Sequence, residues 1–272
     1  MDKELVSIIT PTYNCAAFIK EAVDSVIGQN HKNWELIIID DCSTDNTKQI
    51  LTPYLTKHPN IHYTCLKKKS GKAVAISEGL KQVKGDYVSF LNSYDEWSQS
   101  KLEMQIYKMK KNKAIFSSSM YSLIQEDGTS TMDAIASLNS MNYEEMLKSH
   151  YPIEISTIMY DRRVIGNIKV PNIELITDYA LCLHILRKAK ECYGIYYPIV
   201  RHRLYSKLKE HNNLKLLKAH WHLYRHIEKL SFVKTIKYIL CWYLVACTGF
   251  GVQERDLLEE ERYGLFDSPF YE

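Results

Sequence analysis

The run Trp34-Glu-Leu-Ile-Ile-Ile-Asp40-Asp41-Cys42-Ser43-Thr44-Asp45-Asn46-Thr47 constrains the fold more than any other stretch of the chain. An apolar strand stops at two adjacent carboxylates and gives way to a polar turn that can open a helix. Just upstream the pattern recurs, because Val6-Ser-Ile-Ile-Thr10 is another apolar strand ending in Pro11-Thr12-Tyr13-Asn14. Two such strand ends side by side make the crevice in which open α/β sheets bind their ligands.

The rest of the first half continues the alternation. Phe18, Ile19, Ala22, Val23, Val26 and Ile27 fall at helical spacing, with Asn14 upstream as a cap. The pattern predicts helices over 44–55 and 72–83, short strands over 61–65 and 87–91, and a helix over 101–112. Strand and helix alternating in this way imply a parallel, doubly wound sheet with right-handed crossovers. Farther on, separate strands are expected over 114–116 and 120–124, another over 154–160, and a helix over 178–189. Beyond Asn213 the chain reads as helical and rich in His, Lys, Tyr and Trp.

Composition removes several classes. Hydrophobic residues make up 46% and charged residues 25% of the 272, values of an ordinary globular chain. The net charge of +3 hides an asymmetry: residues 253–272 hold seven acidic and two basic side chains, leaving 33 basic against 25 acidic elsewhere, or +8. A basic body suits phosphate-bearing ligands or an anionic membrane face. Seven widely spaced cysteines without a C-x-x-C pair suggest neither a disulfide framework nor a zinc site, and fit a reducing compartment. No secretory signal is read at the N-terminus, and the apolar run 238–247 falls short of the ~20 residues that span a bilayer. No Gly-x-Gly-x-x-Gly follows either early strand, which sets a dehydrogenase aside, and no DNA-reading motif accompanies the modest charge, so no nucleic-acid partner is expected.

Four segments in order, Val6 to Asn14, Trp34 to Thr47, Ser70-Gly71-x-Ala73-x-Ala75 and Gly85-Asp86-Tyr87-x-x-Phe90-Leu91, resemble glycosyltransferase family 2. Within it the chain is similar to bacterial surface-polysaccharide transferases of the teichuronic-acid type. The likeness continues through Asp178 to Lys188 and Trp221 to Leu230. It implies a GT-A fold, a Rossmann-like, mostly parallel sheet flanked by helices, with a C-terminal helical appendage. Residues 1–212 would form the transferase domain and 213–272 the helical segment with its acidic tail. It also implies that Pro11 and Tyr13 flank a uracil and that Asp41 accepts its ring N–H. The residues themselves add Lys72, which precedes a helix whose free N–H groups and dipole attract the donor's diphosphate.

The fourth motif departs from the family. Members usually carry Asp-x-Asp-Asp after the Phe-Leu strand, the last Asp of the Asp-x-Asp binding a divalent ion. Here the chain reads Asn92-Ser93-Tyr94-Asp95-Glu96-Trp97. Asn92 can still bond a ribose hydroxyl, but neutral tyrosine is a poor ligand for Mg²⁺ or Mn²⁺. Two alternatives stay open. Asp95 or Glu96 takes over as metal ligand after a small loop shift, or Arg201, His202 and Arg203 hold the diphosphate without metal.

Asp178 heads an amphipathic helix where the family has its general base, the carboxylate that takes the acceptor hydroxyl's proton in an inverting transfer. The reading is therefore an inverting transferase that moves sugar from a UDP-sugar to a glycan or a polyprenyl-diphosphate-linked acceptor in surface-polysaccharide synthesis. Ten Lys/Arg and five His between Arg201 and Lys237 suggest docking on the anionic inner face of the membrane from the cytoplasm. The alternative is a relative that has lost catalysis and binds a nucleotide or a partner transferase.

Overall fold

A computed structural model describes residues 4–135, 140–149, 153–204 and 213–248. The chain runs β1 (Val6–Thr12), α1 (Ile19–Ile27), β2 (Trp34–Asp40), α2 (Thr47–Lys57), β3 (Ile61–Cys65), α3 (Lys72–Leu80) and β4 (Tyr87–Phe90). A two-residue β5 (Glu96–Trp97), α4 (Lys101–Lys111), β6 (Phe116–Ile124), β7 (Ser130–Ile135), β8 (Ser140–Asn142) and α5 (Tyr143–Ser149) follow. The remaining elements are β9 (Met159–Asp161), α6 (Arg162–Ile165), α7 (Thr177–Ala189), β10 (Glu191–Arg203), α8 (Asn213–His222) and α9 (Phe232–Thr248).

These strands form one sheet in the order β3-β2-β1-β4-β9-β6-β10-β5, with β7 on β6 and β8 on β10. From β3 to β4 all pairings are parallel. β9 is antiparallel to β4 and β6, and β10 runs parallel to β6. Strand order reverses at β1, which lies between β2 and β4, and the switch opens a crevice at the carboxyl ends of β1 and β2.

Every residue of β1 and β2 is buried, and alternation assigns the side chains to opposite layers. Ile8 and Ile38 pack with α1 and α4, whereas Ile9 joins Ile76 of α3 and Leu181 and Leu186 of α7. Each such isoleucine contributes about 1.5–3 kcal/mol of burial free energy. Gly85 is required by closeness, since a Cβ there would sit 2.6 Å from Leu5 O and Ser7 N. The C-terminal helices share the same core, with Leu223, Tyr224 and Tyr238 in the α3/α7 layer.

Local expectations fail at identifiable points. Asn14 does not cap α1; with φ at 48°, its Oδ1 accepts the Thr44 N–H at 2.7 Å. That bond holds residues 43–46 as a turn, so α2 starts at Thr47 rather than 44 and runs on to Lys57. α3 ends at Leu80, short of Val83. The strands expected over 114–116 and 120–124 are one strand, β6, because Ser117 to Ser119 are buried in it rather than breaking it. The strand expected over 154–160 is a 3-10 turn at Ile155–Thr157 followed by β9. The acidic segment 253–272 lies outside the described residues.

Candidate functional site

A cavity of about 740 Å³ opens at the carboxyl ends of β1 and β2, within the size range of small-molecule sites. Its floor is Pro11, Thr12, Tyr13 and Asp41; α3 contributes Lys72, the 92–94 turn contributes Asn92 to Tyr94, and Asp178 stands at the head of α7. Leu216 and His220 of α8 and Trp242 of α9 close the far side. The structure thus brings together Pro11, Tyr13, Asp41, Lys72, Asn92 and Asp178.

The paired carboxylates divide their work. Asp40 is buried and accepts from Ser43 N–H at 2.7 Å and from the Tyr63 hydroxyl at 2.7 Å, so it is consumed by the turn. Asp41 accepts the backbone N–H of Ser70 at 2.6 Å and that of Gly71 at 2.8 Å. One carboxylate thereby ties the end of β2 to the start of α3. Gly71, with φ of 92°, takes a left-handed conformation that a side chain would strain. Tyr13 is 40% exposed, and Lys69 Nζ lies 3.9 Å from its ring centroid.

Lys72 and Asp178, 106 residues apart, meet at 2.6 Å between Nζ and Oδ2. Both side chains are about a quarter exposed, at 28% and 27%. Asp178 Oδ1 is buried with no hydrogen-bond partner, and Thr12 Oγ1 on the same cavity wall is in the same state. Unpartnered buried polar atoms are costly, so a cavity lined with them is built to receive polar groups. Asp178 stands in the first turn of α7.

Arg201, Arg203 and Asp95 are not brought to this cavity. Arg203 is 1% exposed and sits in a hub: Nη2 contacts Glu21 and, at 2.6 Å, Glu96, while Nε donates to Tyr94 O at 3.0 Å and Nη1 to Glu126 O at 2.9 Å. Arg201 Nη1 pairs with Glu96 at 2.6 Å and Nη2 donates to Gly128 O. The cause is strand geometry. In β10 residues 201 and 203 point to one face, and antiparallel pairing sets Glu96 of β5 across from Arg201. Only the intervening His202 lines the cavity.

Asp95 is fully buried, with Oδ2 accepting from Asn92 Nδ2 at 3.0 Å and Ser156 Oγ at 2.6 Å, and Oδ1 accepting from Arg203 N–H at 3.1 Å. Burial opposes its charge, yet His202 and these hydrogen bonds hold it below the usual carboxylate range. His202 Nδ1 lies 3.1 Å from Asp95 Oδ1 and 3.8 Å from Glu154 Oε2, a charge contact rather than an aligned hydrogen bond. Burial works against the imidazolium, but Asp95 and then Glu154 outweigh it and raise the ring's pKa to about 9. Tyr94 and Tyr121 meet the ring edge-on at 6.3 and 5.6 Å. Burial, with Asp95, Asp178 and Glu154 nearby, pushes the Tyr94 phenol well above its ordinary value, so it is neutral. Burial likewise raises Glu154.

These residues do not fit a divalent cation. Asp95 spends both oxygens on protein donors, Glu96 is turned to the arginines, and Tyr94 offers a neutral phenol where a carboxylate is needed. Among the described residues no cluster of three or more His, Cys, Asp or Glu is arranged to hold a metal. Sequence reading did not single out Glu154 or separate His202 from its arginine neighbours. The period of two along β10 is the signal that separates His202 from the arginines; Glu154 carries no such signal.

A parallel half-sheet with a strand-order switch, a nucleotide-sized crevice and a carboxylate at a facing helix start define a GT-A type transferase fold. The S. aureus TarS 1–349 structure in complex with UDP-GlcNAc superposes with a TM-score of 0.70 at 18% identity, over 94% of this chain and 77% of that one. The mannosyltransferase PcManGT from Pyrobaculum calidifontis, solved with GDP-Man and Mn²⁺, gives 0.60 at 16% identity over 92% and 72%. Glycosyl transferase family 2 is matched by residues 7–166, and the chain belongs to that family. It is 40% identical over 232 residues to TuaG of Bacillus subtilis (strain 168), named for teichuronic acid biosynthesis, covering 85% of this chain and 92% of TuaG. It is 41% identical over 187 residues to WfaP of Escherichia coli, named a UDP-Glc:alpha-D-GlcNAc-diphosphoundecaprenol beta-1,3-glucosyltransferase, covering 68% and 71%.

Proposed function

We propose that this family 2 glycosyltransferase moves a sugar, with inversion, from a UDP-sugar to a lipid-diphosphate-linked glycan. Uracil stacks at Tyr13 beside Pro11 at the end of β1, within the crevice that Asp41 braces, and Asn92 bonds the ribose. The acceptor hydroxyl enters between Asp178 and the far wall. Its oxygen bonds to the anomeric carbon as the bond to the diphosphate oxygen breaks, and its proton passes to the Asp178 carboxylate. UDP leaves with the electron pair.

The observation that carries this reading is the Lys72–Asp178 pair, a cation suited to diphosphate and a carboxylate suited to the acceptor, closed on each other at 2.6 Å. An incoming diphosphate draws Lys72 away and frees the base, so donor binding arms the site. The names of TuaG and WfaP and the UDP-GlcNAc complex of TarS support the donor and acceptor classes. Because residues 92–95 do not fit a divalent ion, no step here passes through one.

Residues 1–212 carry this chemistry, and 213–272 serve the acceptor side. α9 is two-faced: Thr235 and Tyr238 are buried and Trp242 reaches the cavity, while Val233, Ile236, Leu240, Tyr243 and Leu244 are exposed, with Lys234 and Lys237 among them. No described helix is long and apolar enough to cross a membrane. An apolar face edged by lysines suits shallow docking on the anionic cytoplasmic face of the inner membrane, which brings a lipid-linked acceptor beside Trp242.

The test is Asp178→Asn. Transfer of radiolabelled sugar falls by about 10²–10⁴-fold, while UDP binding is retained or strengthened, because Lys72 no longer has to leave a carboxylate. Undiminished turnover overturns the assignment of the base. UDP binding with no transfer by the wild type on any lipid-linked acceptor favours a nucleotide-binding relative without catalysis.

A further inference from the structure

We propose that the His202 ring, anchored on the buried Asp95, binds the donor's diphosphate and stands where a divalent cation would otherwise be needed; this rests on the UDP-sugar reading above. Three observations converge on it. Tyr94, third in Asn92-Ser93-Tyr94, presents a neutral phenol to the cavity, so one anionic ligand is missing from the wall. Asp95 faces inward and is saturated by protein donors, with one oxygen 3.1 Å from His202 Nδ1. β10 then projects His202, and neither flanking arginine, onto the cavity wall.

A carboxylate that would have bound a cation thus holds a cationic side chain instead. Substituting one for the other preserves the charge pattern: a buried anion behind, a positive centre in front and the diphosphate beyond. Groups facing the ring from the neighbouring elements are Asp95 after β4, Glu154 before the 3-10 turn, Lys72 on α3 and the rings of Tyr94 and Tyr121. The two carboxylates outweigh the one lysine, and the ring stays charged to about pH 9. Lys72 supplies the second positive centre on the opposite wall, so a diphosphate lies between two cations with no metal to be recruited. Nδ1 faces the Asp95 carboxylate at 3.1 Å, which leaves Nε2–H as the donor for a phosphate oxygen.

Calorimetric titration of the full chain with UDP, in EDTA and then in Mn²⁺, tests this together with a uridine titration followed by ligand-observed NMR. Wild type is expected to bind UDP equally in both buffers, within twofold. His202→Gln should weaken UDP at least tenfold while leaving uridine affinity unchanged, and His202→Lys should recover part of the loss. Unchanged UDP affinity in His202→Gln overturns the inference and leaves the donor reading intact. Equal loss of UDP and uridine makes His202 a structural prop and also overturns it, as does binding abolished by EDTA and restored by Mn²⁺. Wild type that binds UDP in neither buffer overturns both the inference and the donor reading.

Discussion

The charge on His202 makes a contribution that is readable in the stability of the whole protein. Its pKa rises from an ordinary 6.5 to about 9 in the fold, because the pull of Asp95 and Glu154 exceeds the opposing effect of burial. At about 1.36 kcal/mol per pH unit, that gap is worth about 3 kcal/mol. The ring is 16% exposed, so solvent screening removes little of it. A folded pKa above the unfolded one means the native state binds the extra proton. The stabilisation is complete below pH 6.5 and is lost as pH rises through 9. Between pH 7 and 9 the linkage relation gives a loss of about 2 kcal/mol. Urea unfolding of wild type and His202→Gln at half-unit steps from pH 6 to 9.5 reads it, because groups away from the His202–Asp95–Glu154 cluster titrate alike in both proteins. The variant also removes the charge partner of Asp95, which keeps its three hydrogen bonds, and this offsets its curve in this window. The expected result is a wild-type advantage that shrinks by about 2 kcal/mol from pH 7 to 9. A difference constant to within about 0.5 kcal/mol would refute the charged ring.

Two further outcomes are expected. Asp41→Asn keeps one acceptor but sets an NH₂ against the other backbone N–H of the Ser70-Gly71 pair. The lost charge-assisted bond costs about 2 kcal/mol, seen as a melting temperature lower by about 5 °C, and UDP affinity falls with it; an unchanged melt would show that the loop does not depend on Asp41. The double change Leu240→Glu, Leu244→Glu alters residues 56% and 59% exposed, so stability moves by no more than about 0.5 kcal/mol per site. Co-sedimentation with anionic vesicles should drop sharply, and retention equal to wild type would eliminate α9 as the docking face.

The parallel half of the sheet was legible because its strands are buried on both sides and therefore read as unbroken apolar runs. Asp41, Lys72 and Asp178 were legible from their places at strand and helix ends, but their pairing was not. The Lys72–Asp178 contact joins residues 106 apart, which no local pattern encodes. β10 escaped notice for a different reason. Its 13 residues include Pro198, and the register to β6 shifts on both sides of it, so the alternation that signals a strand is interrupted. With the strand unseen, Arg201, His202 and Arg203 looked like one basic cluster, whereas a strand must send the middle residue the opposite way. The serines of β6 misled similarly, because Ser117 is buried and accepts from Gln105 Nε2 at 3.0 Å. Polar side chains satisfied in the core read as loop when only hydropathy is considered.

The Arg203 hub sets the order in which a newly made chain can acquire its site. Glu21 on α1 waits for a partner 182 residues downstream, and Glu96 waits for the same guanidinium. Until β10 has been synthesised and inserted between β6 and β5, the 94–96 turn lacks the backbone and side-chain donors that pin it. An N-terminal fragment carrying Pro11, Tyr13 and the first strands would therefore hold two acidic side chains without their counter-ion. Contacts that span so much sequence form slowly. The donor site matures late, after nearly all of the sheet is in place, and a ribosome-bound intermediate with β1 to β6 complete would not yet bind the diphosphate.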